Sequence, residues 1–258
     1  MSKVRFEQDG SLATLILDNQ PLNQIDREVI TDLIAAVERL EGAADVRAVL
    51  VRGAGDVFSA GADVNLFGGL GADDMRPLID SFLEMGHRIE ALPVPTLAAV
   101  HGVCMAGGFE LALFCDLLWA ADGTQLGLPE TRLGIVPLAG GIERVSARAG
   151  LGRARTVALG GALFPAEQLY DWGVVDRVLA GEELHAAAEE FAKLLAQGPT
   201  RAFAAVKELA RAYTQGGVPR ADGLLLEAAV GLFDTDDARN GIESFLASGS
   251  ATASFVGH

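Results

Sequence analysis

Short apolar segments alternate along the chain with segments that have helical spacing. Residues 4–8 and 12–17 flank Asp9-Gly10-Ser11, a combination that predicts a β-hairpin. A capping aspartate, Asp26, then precedes apolar residues spaced three and four apart, which predicts a helix that ends at Gly42. The next apolar segment predicts a buried strand. Hairpin, helix and strand together predict a crossover onto a sheet.

The segment around which the chain is organised follows a second buried strand, residues 96–100. Met105-Ala-Gly-Gly108 is small and flexible, and an apolar helix begins at Phe109. A strand that enters a helix through a glycine turn leaves backbone N–H groups unpaired at the helix start. Those donors, with the positive end of the helix dipole, can stabilise an oxygen that becomes negative. Glu110 lies in the first turn, where a carboxylate beside such a site can transfer protons.

A similar glycine-rich loop, residues 53–63, follows the strand predicted over residues 48–52. Taken alone it is compatible with an ordinary turn. Two such loops at strand ends instead predict a ligand site, because ligands of open α/β sheets bind at the carboxyl ends of the strands.

The remainder of the chain is first mixed and then helical, which predicts an α/β core over residues 1–195 and a helical region over residues 196–258. The predicted elements are a helix at 73–91, strands at 117–120 and 124–128, a helical stretch at 141–160, a short helix from 164, a strand at 174–178, and helices from 182 to 246 interrupted at 198–199, 216–217 and near 234.

Charge and composition exclude several classes of function. The 258 residues carry a formal charge of −15, whereas a nucleic-acid-binding protein needs a basic surface. No apolar run is long enough to span a membrane and no signal segment is seen, so we expect a soluble, cytoplasmic protein that does not bind membranes. The two cysteines, Cys104 and Cys115, lie in apolar surroundings and are expected to be reduced core thiols.

Common catalytic motifs are absent from the sequence. No Gly-x-x-x-x-Gly-Lys loop and no Gly-x-Ser-x-Gly elbow occur. The four histidines are scattered without the spacing of metal ligands, so no metal site is predicted. His101 remains of interest, because it ends the central strand.

Two carboxylates near glycine segments remain, Glu110 and Glu130. Each alone fits an ordinary glutamate in a first helical turn. However, a helix of roughly 14 Å leads away from Glu110. Two short strands of around 13 Å each can bring the chain back, so Glu130 can face Glu110. Two facing carboxylates beside backbone donors suit chemistry in which a proton moves at a carbon next to a carbonyl.

The motifs resemble those of the enoyl-CoA hydratase/isomerase (crotonase) family over nearly the whole chain and in the family's order. The matching segments are Phe58-Ser-Ala-Gly-Ala-Asp63, His101-Gly with Ala106-Gly-Gly-Phe-Glu-Leu-Ala and Cys115-Asp116, Leu126-Gly-Leu-Pro-Glu130, Leu133-Gly-Ile-Val-Pro with Gly140-Gly141, and Trp172-Gly-Val-Val-Asp176.

The resemblance implies an α/β fold made of a spiral of ββα units, followed by a C-terminal helical trimerisation region. It implies a homotrimer or a dimer of trimers. The substrate would be an acyl-CoA thioester of fatty-acid metabolism, with coenzyme A as part of the substrate and no separate cofactor. The backbone N–H groups of Ala60 and Gly107 would hold the thioester oxygen, and Gly61, Ala62 and Asp63 would also contact the substrate.

For the two glutamates the resemblance implies the roles of the hydratase members. Glu110 would help to activate the water that adds at Cβ, and Glu130 would exchange the proton at Cα and orient that water. Alternatives within the family are double-bond isomerisation, a specialised hydration and thioester cleavage. A noncatalytic subunit that binds acyl thioesters is a further alternative, against which the presence of both glutamates argues.

Two departures from the family concern the coenzyme A moiety. The turn Asn19-Gln-Pro-Leu-Asn23 has no basic residue, and the tail over residues 247–258 has no lysine. Lys207 or the arginines could compensate, or the carrier could differ from free coenzyme A. The apolar residues suggested for the acyl pocket are Phe67, Leu70, Met75, Met85 and those after Gly134.

Overall fold

The computed structural model of the protein describes residues 2–249 and 253–258. The strands of the described residues are β1 (Val4–Asp9), β2 (Leu12–Leu17), β3 (Ala48–Gly53), β4 (Thr96–Val100), β5 (Val103–Met105), β6 (Leu117–Ala121), β7 (Gln125–Gly127), β8 (Leu163–Pro165) and β9 (Arg177–Leu179). Six of them form a sheet with the order β1-β2-β3-β4-β6-β9, in which only β1 and β2 are antiparallel, and a smaller sheet has the order β5-β7-β8.

Helices pack against both faces of the large sheet. The α-helices of the described residues are α1 (Arg27–Gly42), α2 (Ala72–Ala91), α3 (Gly107–Leu113), α4 (Gly141–Ala149), α5 (Leu151–Gly160), α6 (Ala166–Asp171), α7 (Gly181–Ala196), α8 (Thr200–Val230) and α9 (Asp236–Ser248). Short 3-10 turns span Val64–Phe67, Glu130–Leu133 and Gly231–Asp234.

The two faces of the sheet explain why its central strands are apolar throughout. All five residues of β4 are buried, as expected for a parallel strand covered on both sides. Helices α1 to α4 contribute to the main core, whereas α7 covers the opposite face. Ala188 and Ala192 of α7 lie one turn apart and pack with Leu97 and Trp119. Their small side chains allow the helix backbone to approach the sheet.

Most predicted elements are confirmed. The hairpin pairs Val4 with Leu17 through Asp9 with Leu12, and the Asp26 carboxylate caps α1 by accepting the N–H of Val29 at 2.9 Å. The predicted helix at 73–91 corresponds to α2, and the strands predicted on either side of Asp122-Gly123 correspond to β6 and β7.

The helical stretch predicted at 141–160 is confirmed with one interruption, and the predicted starts of two other elements were wrong. The helical stretch at 141–160 is two helices, because Gly150 adopts φ +84° and ends α4. The short helix predicted from residue 164 begins only at Ala166, since residues 163–165 pair with β7. The last strand starts at Arg177 because the N–H groups of Val174 and Val175 both donate to Leu169 O in a turn.

The C-terminal helices follow the predicted breaks. α7 ends at Ala196, and α8 has non-helical backbone at Gly216 and Gly217. The last residues fold back, and the N–H groups of Val256 and Gly257 donate to the Asp237 carboxylate. Residues 1 and 250–252 of the predicted regions lie outside the described residues, and the division at 195/196 stays a prediction. None of the described helices is both long enough and apolar enough to cross a membrane.

Candidate active site

The two glycine-rich segments run side by side at the carboxyl ends of β3 and β4. Ser59 N–H donates to Val103 O and Ser59 O accepts from Met105 N–H, both at 3.1 Å. Phe58, the buried aromatic residue of the first loop, donates its N–H to His101 O at 2.9 Å. The prediction that both loops emerge from strand ends is confirmed, and β5 is the strand that joins them.

The loops approach so closely that side chains are excluded at two positions. Gly61 has φ +86°, and a Cβ there would lie 2.6 Å from the Ala106 Cβ. A Cβ at Gly108 would lie 2.6 Å from Ser59 Cβ. Ala106 itself adopts φ +50°, an uncommon conformation for a residue with a side chain. This geometry brings the start of α3 against residues 60–62.

The backbone N–H groups of Ala62 and Gly107 lie where the loops meet and donate to no acceptor among the described residues. Ile25 donates to Gly61 O and accepts from Asp63 N–H, so the N–H of the intervening Ala62 points away from Ile25. Gly107 is the first residue of α3, where no intrahelical acceptor exists for its N–H. A Cβ on Gly107 would lie 3.8 Å from Ala62 N. Within residues 2–249 and 253–258 neither N–H has an acceptor, so together they form an anion cradle.

The assignment of the first donor to Ala60 needs correction. The Ala60 N–H donates to Leu22 O at 2.9 Å, and the Gly61 N–H donates to Ser59 Oγ at 3.1 Å. The Asp63 carboxylate accepts from the backbone and side chain of Asn65 and caps the following 3-10 turn. Of the predicted substrate contacts, Ala60, Ala62 and Gly107 line the cavity described below, whereas Gly61 and Asp63 support the loop.

Glu110 lies in the first turn of α3 and is 2 % exposed. Its Oε1 accepts two backbone hydrogen bonds, from Ala139 N–H at 2.8 Å and from Gly141 N–H at 2.9 Å. Burial raises the pKa of this carboxyl group, and the two donors partly oppose that effect because they stabilise the charged form. Sequence reasoning missed these donors; the only signal was the Gly140-Gly141 pair, in which Gly140 adopts φ +77°.

Glu130 begins the 3-10 turn that follows β7 and is 7 % exposed. Neither of its carboxylate oxygens has a hydrogen-bond partner in the described part of the chain. Burial, and to a smaller extent the neighbouring Glu110 charge, raises the pKa of Glu130 to about 7. The prediction that β6 and β7 return Glu130 to the side of Glu110 is confirmed, because both glutamates line one cavity.

The cavity has a volume of about 330 Å³ and also contains Ala62 and Gly107. Of the residues suggested for the acyl pocket, Phe67 and the segment after Gly134 line it, whereas Met85 lies in the core. Leu70 and Met75 are not part of the lining. The apolar lining comes from α1, α2, β5, two 3-10 turns and the segments at 25 and 135–138. It comprises Ile25, Ile30, Val64, Leu66, Phe67, Leu78, Ile79, Phe82, Met105, Leu133, Ile135 and Leu138. The site therefore combines an apolar chamber with two carboxyl groups and an anion cradle.

Lys207 does not have the position required to bind an anionic carrier. Its ammonium group lies 2.7 Å from Asp116 Oδ2, donates to Val94 O at 2.8 Å, and its side chain is 11 % exposed. Asp116 also accepts from the N–H and hydroxyl of Thr96. Lys207 therefore ties α8 to the start of β4.

The remaining candidate residues are structural. Cys104 and Cys115 are buried free thiols, as predicted, and burial raises the pKa of both. His101 Nε2 lies 2.9 Å from Gly55 O, and its ring packs edge-on against His185 with 4.8 Å between the centroids. Neither ring lines the cavity.

Comparisons with known proteins show which proteins this chain resembles. A family model described as enoyl-CoA hydratase/isomerase matches residues 7–252. A Bacillus subtilis protein named probable enoyl-CoA hydratase is 31 % identical over 251 residues, which is 95 % of this chain and 96 % of the relative. The structure of an enoyl-CoA hydratase from Bacillus anthracis superimposes with a TM-score of 0.93 at 27 % identity, over 99 % of this chain and 100 % of that one. The structure of Pseudomonas aeruginosa DspI superimposes with a TM-score of 0.88 at 32 % identity, over 96 % of this chain and 95 % of that one.

Proposed function

Because this chain belongs to the enoyl-CoA hydratase/isomerase family and has the crotonase fold, we propose that it adds water reversibly across the 2,3 double bond of a 2-enoyl-CoA thioester. Coenzyme A enters as part of the substrate, and the proposed chemistry uses only side chains and backbone groups of this chain. The apolar chamber accommodates the acyl group.

The cradle formed by Ala62 and Gly107 supports the first part of this proposal. When water adds at Cβ, negative charge develops on the thioester oxygen as an enolate forms. Two fixed N–H donors stabilise that charge more than they stabilise the neutral carbonyl, which lowers the barrier. Both donors belong to the backbone, and backbone hydrogen bonds between the two loops hold them in position. They therefore need no rearrangement during the reaction.

The two glutamates supply the proton transfers in this proposal. Ionised Glu110 accepts a proton from water as the water oxygen bonds to Cβ, and protonated Glu130 delivers a proton to Cα. The pair thus carries one proton before and after hydration. It returns to its starting form when that proton moves from Glu110 to Glu130, directly or by exchange with solvent.

The observation that carries the proposal is the contrast between the two carboxyl groups in one cavity. Glu110 accepts two backbone hydrogen bonds, which favour its ionised form against the effect of burial, whereas Glu130 has no partner among the described residues and burial raises its pKa to about 7. Carboxyl groups whose environments separate their pKa values are suited to act as base and acid in the same step.

The test is the loss of enoyl absorbance with crotonyl-CoA and with a longer 2-enoyl-CoA. Wild type is compared with Glu110→Gln, Glu130→Gln and a control, Glu84→Gln, which changes an exposed glutamate of α2. We expect turnover by wild type and the control, and a loss of at least 100-fold in both active-site variants. Product analysis separates hydration from isomerisation, since only hydration adds the mass of water. A 3-enoyl product without added water, or full activity in either active-site variant, would overturn the proposal.

We also propose that the C-terminal helices form the contacts of a trimer or a dimer of trimers. Leu226, Phe233 and Leu246 on α8, α9 and the turn between them are each more than two-thirds exposed in the single chain. Apolar side chains concentrated in this way are typical of a protein interface. Light scattering after size-exclusion chromatography tests this, and a mass near that of one 26.9-kDa chain would contradict it.

A further inference from the structure

Arg144 of α4 lies outside the cavity and joins three elements that surround Glu110. Its Nε and Nη2 donate to the two carboxylate oxygens of Glu90 on α2, each at 2.8 Å. The Arg144 side chain is 15 % exposed, so this is a two-pronged and largely shielded ion pair. Glu90 therefore fixes the orientation of the guanidinium group.

The third nitrogen of this guanidinium holds the loop that binds Glu110. Arg144 Nη1 donates to Gly140 O at 3.1 Å and to Ala139 O at 3.4 Å. The carbonyl of Gly140 and the N–H of Gly141 belong to one peptide group, whose planar trans geometry points them in opposite directions. Arg144 therefore holds one end of the peptide, while the other end donates to Glu110 Oε1.

Arg144 also contacts the helix that carries Glu110. The guanidinium carbon lies 4.1 Å from the ring centroid of Phe114, four residues after Glu110. The outer edge of that ring meets the backbone of α2 at Gly86, where a Cβ would lie 1.9 Å from the ring Cζ. The ring and the guanidinium are thus confined between α2, α3 and α4.

We propose that Arg144, oriented by Glu90, is a positioning residue that sets the geometry and the ionisation of Glu110 by fixing the peptide between Gly140 and Gly141. The inference rests on the proposed function, in which Glu110 must be ionised and aimed at the attacking water. Arg144 does not line the cavity, so it acts through the loop that binds Glu110.

The charged groups around Glu110 define the expected direction of change. Glu130 faces it across the cavity, and Arg144 approaches from α4 with Glu90 behind it. Glu143, also on α4, lies beside Gly140. Both the Arg144 charge and the loop donors lower the pKa of Glu110 against the effect of burial. Loosening the loop therefore raises that pKa.

The experiment compares Arg144→Lys and Glu90→Gln with wild type. Lysine keeps the charge but cannot hold Glu90 and the two carbonyls together, so Arg144→Lys separates positioning from charge. Glu90→Gln keeps the guanidinium and weakens the ion pair that orients it. This variant tests the inference if Arg144→Lys does not fold. The matched control is Arg88→Lys. Arg88 lies on α2, two residues before Glu90, and makes a similar two-pronged pair with Glu41 of α1.

We expect kcat for hydration to fall on the order of 10- to 100-fold in Arg144→Lys with KM nearly unchanged. The acid limb of the pH profile should move to higher pH, and Glu90→Gln should change in the same direction to a smaller degree. Arg88→Lys should change neither. Folded Arg144→Lys protein with wild-type kcat and an unmoved acid limb would overturn the inference.

A readout without turnover separates this inference from the proposed function. The carboxyl stretch of Glu110, identified in infrared difference spectra by its absence from Glu110→Gln, reports ionisation directly. We expect it to titrate at higher pH in Arg144→Lys than in wild type, even if no 2-enoyl-CoA is hydrated. An unchanged titration would refute the positioning role and leave the proposed function standing.

Discussion

Replacing Glu130 by glutamine should stabilise the protein at alkaline pH while it removes activity. Glu130 is nearly buried and neither oxygen has a partner among the described residues, so its charged form lacks compensation in the folded state. Glutamine has the same shape without the charge. Its amide lacks partners just as the protonated carboxyl does, so the two neutral side chains cost about the same to bury.

The magnitude follows from the pKa of Glu130, which folding raises from 4.5 to about 7. Between these values the folded protein binds more protons than the unfolded chain, so the free energy of unfolding falls as pH rises through that window. The interval corresponds to about 3 kcal/mol at roughly 1.4 kcal/mol per pH unit. The free energy of unfolding of the wild type therefore falls by about 3 kcal/mol by pH 8, and by less than about 1 kcal/mol at pH 5. The free energy of unfolding of Glu130→Gln does not fall in this way.

Urea denaturation at pH 5 and pH 8, at one fixed protein concentration, measures the difference. We expect the midpoint of Glu130→Gln to exceed that of wild type at pH 8 and to approach it at pH 5, with the slope m unchanged. The control is Glu167→Gln, because a hydrogen bond from Gly123 N–H lowers the pKa of Glu167 and its amide variant should show no gain at pH 8. Equal midpoints of wild type and Glu130→Gln at pH 8 would refute the reasoning.

Three further predictions test other parts of the site. Gly107→Ala should fold normally, because the added methyl would meet no atom closer than 3.4 Å. The same methyl would occupy the cradle, so kcat/KM should fall at least about 100-fold. A folded, fully active variant would show that the cradle is not used in the reaction. The value of kcat/KM for hydration should fall as pH rises through about 7, since Glu130 must hold its proton, and a profile that stays flat from pH 6 to pH 9 would contradict this. Lys207→Met should lower the free energy of unfolding by on the order of 2 kcal/mol without changing KM, whereas a large rise in KM would restore Lys207 as a carrier contact.

The sequence was sufficient for those parts of the site that depend on local backbone requirements. Glycines at 61, 107 and 108 follow buried strands, and their spacing indicated a strand that enters a helix through a turn. Glu110 could be found because it lies in the first turn of that helix. Glu130 could be found because two short strands have the length needed to bring the chain back. In each case one periodicity or one chain length determined the position.

The sequence was insufficient where nearby residues of one loop differ only in the direction of their backbone N–H groups. Ala60 and Ala62 have the same side chain and lie two residues apart, so a regular extended segment would point their N–H groups to the same side. Gly61 between them adopts φ +86° and interrupts that regular backbone. Pairing with Leu22 and with Ile25 determines which of them faces the cavity, and those partners lie about 40 residues earlier in the chain. For the same reason the donors to Glu110 from Ala139 and Gly141 could not be inferred.

In the proposed function, the different environments of Glu110 and Glu130 allow one cavity to hold an acid and a base at the same pH. If both carboxyls lacked partners, they would share a proton with no preferred location, and either could meet the water in the wrong form. The loop at 139–141 removes this symmetry, because it donates two hydrogen bonds to Glu110 and none to Glu130. On this proposal the assignment of roles is a property of the backbone around the glutamates, and the proposed role of Arg144 follows because its guanidinium donates to the carbonyls of that backbone. It follows that a variant which loosens the loop should make the two carboxyls more alike before it changes how the substrate binds.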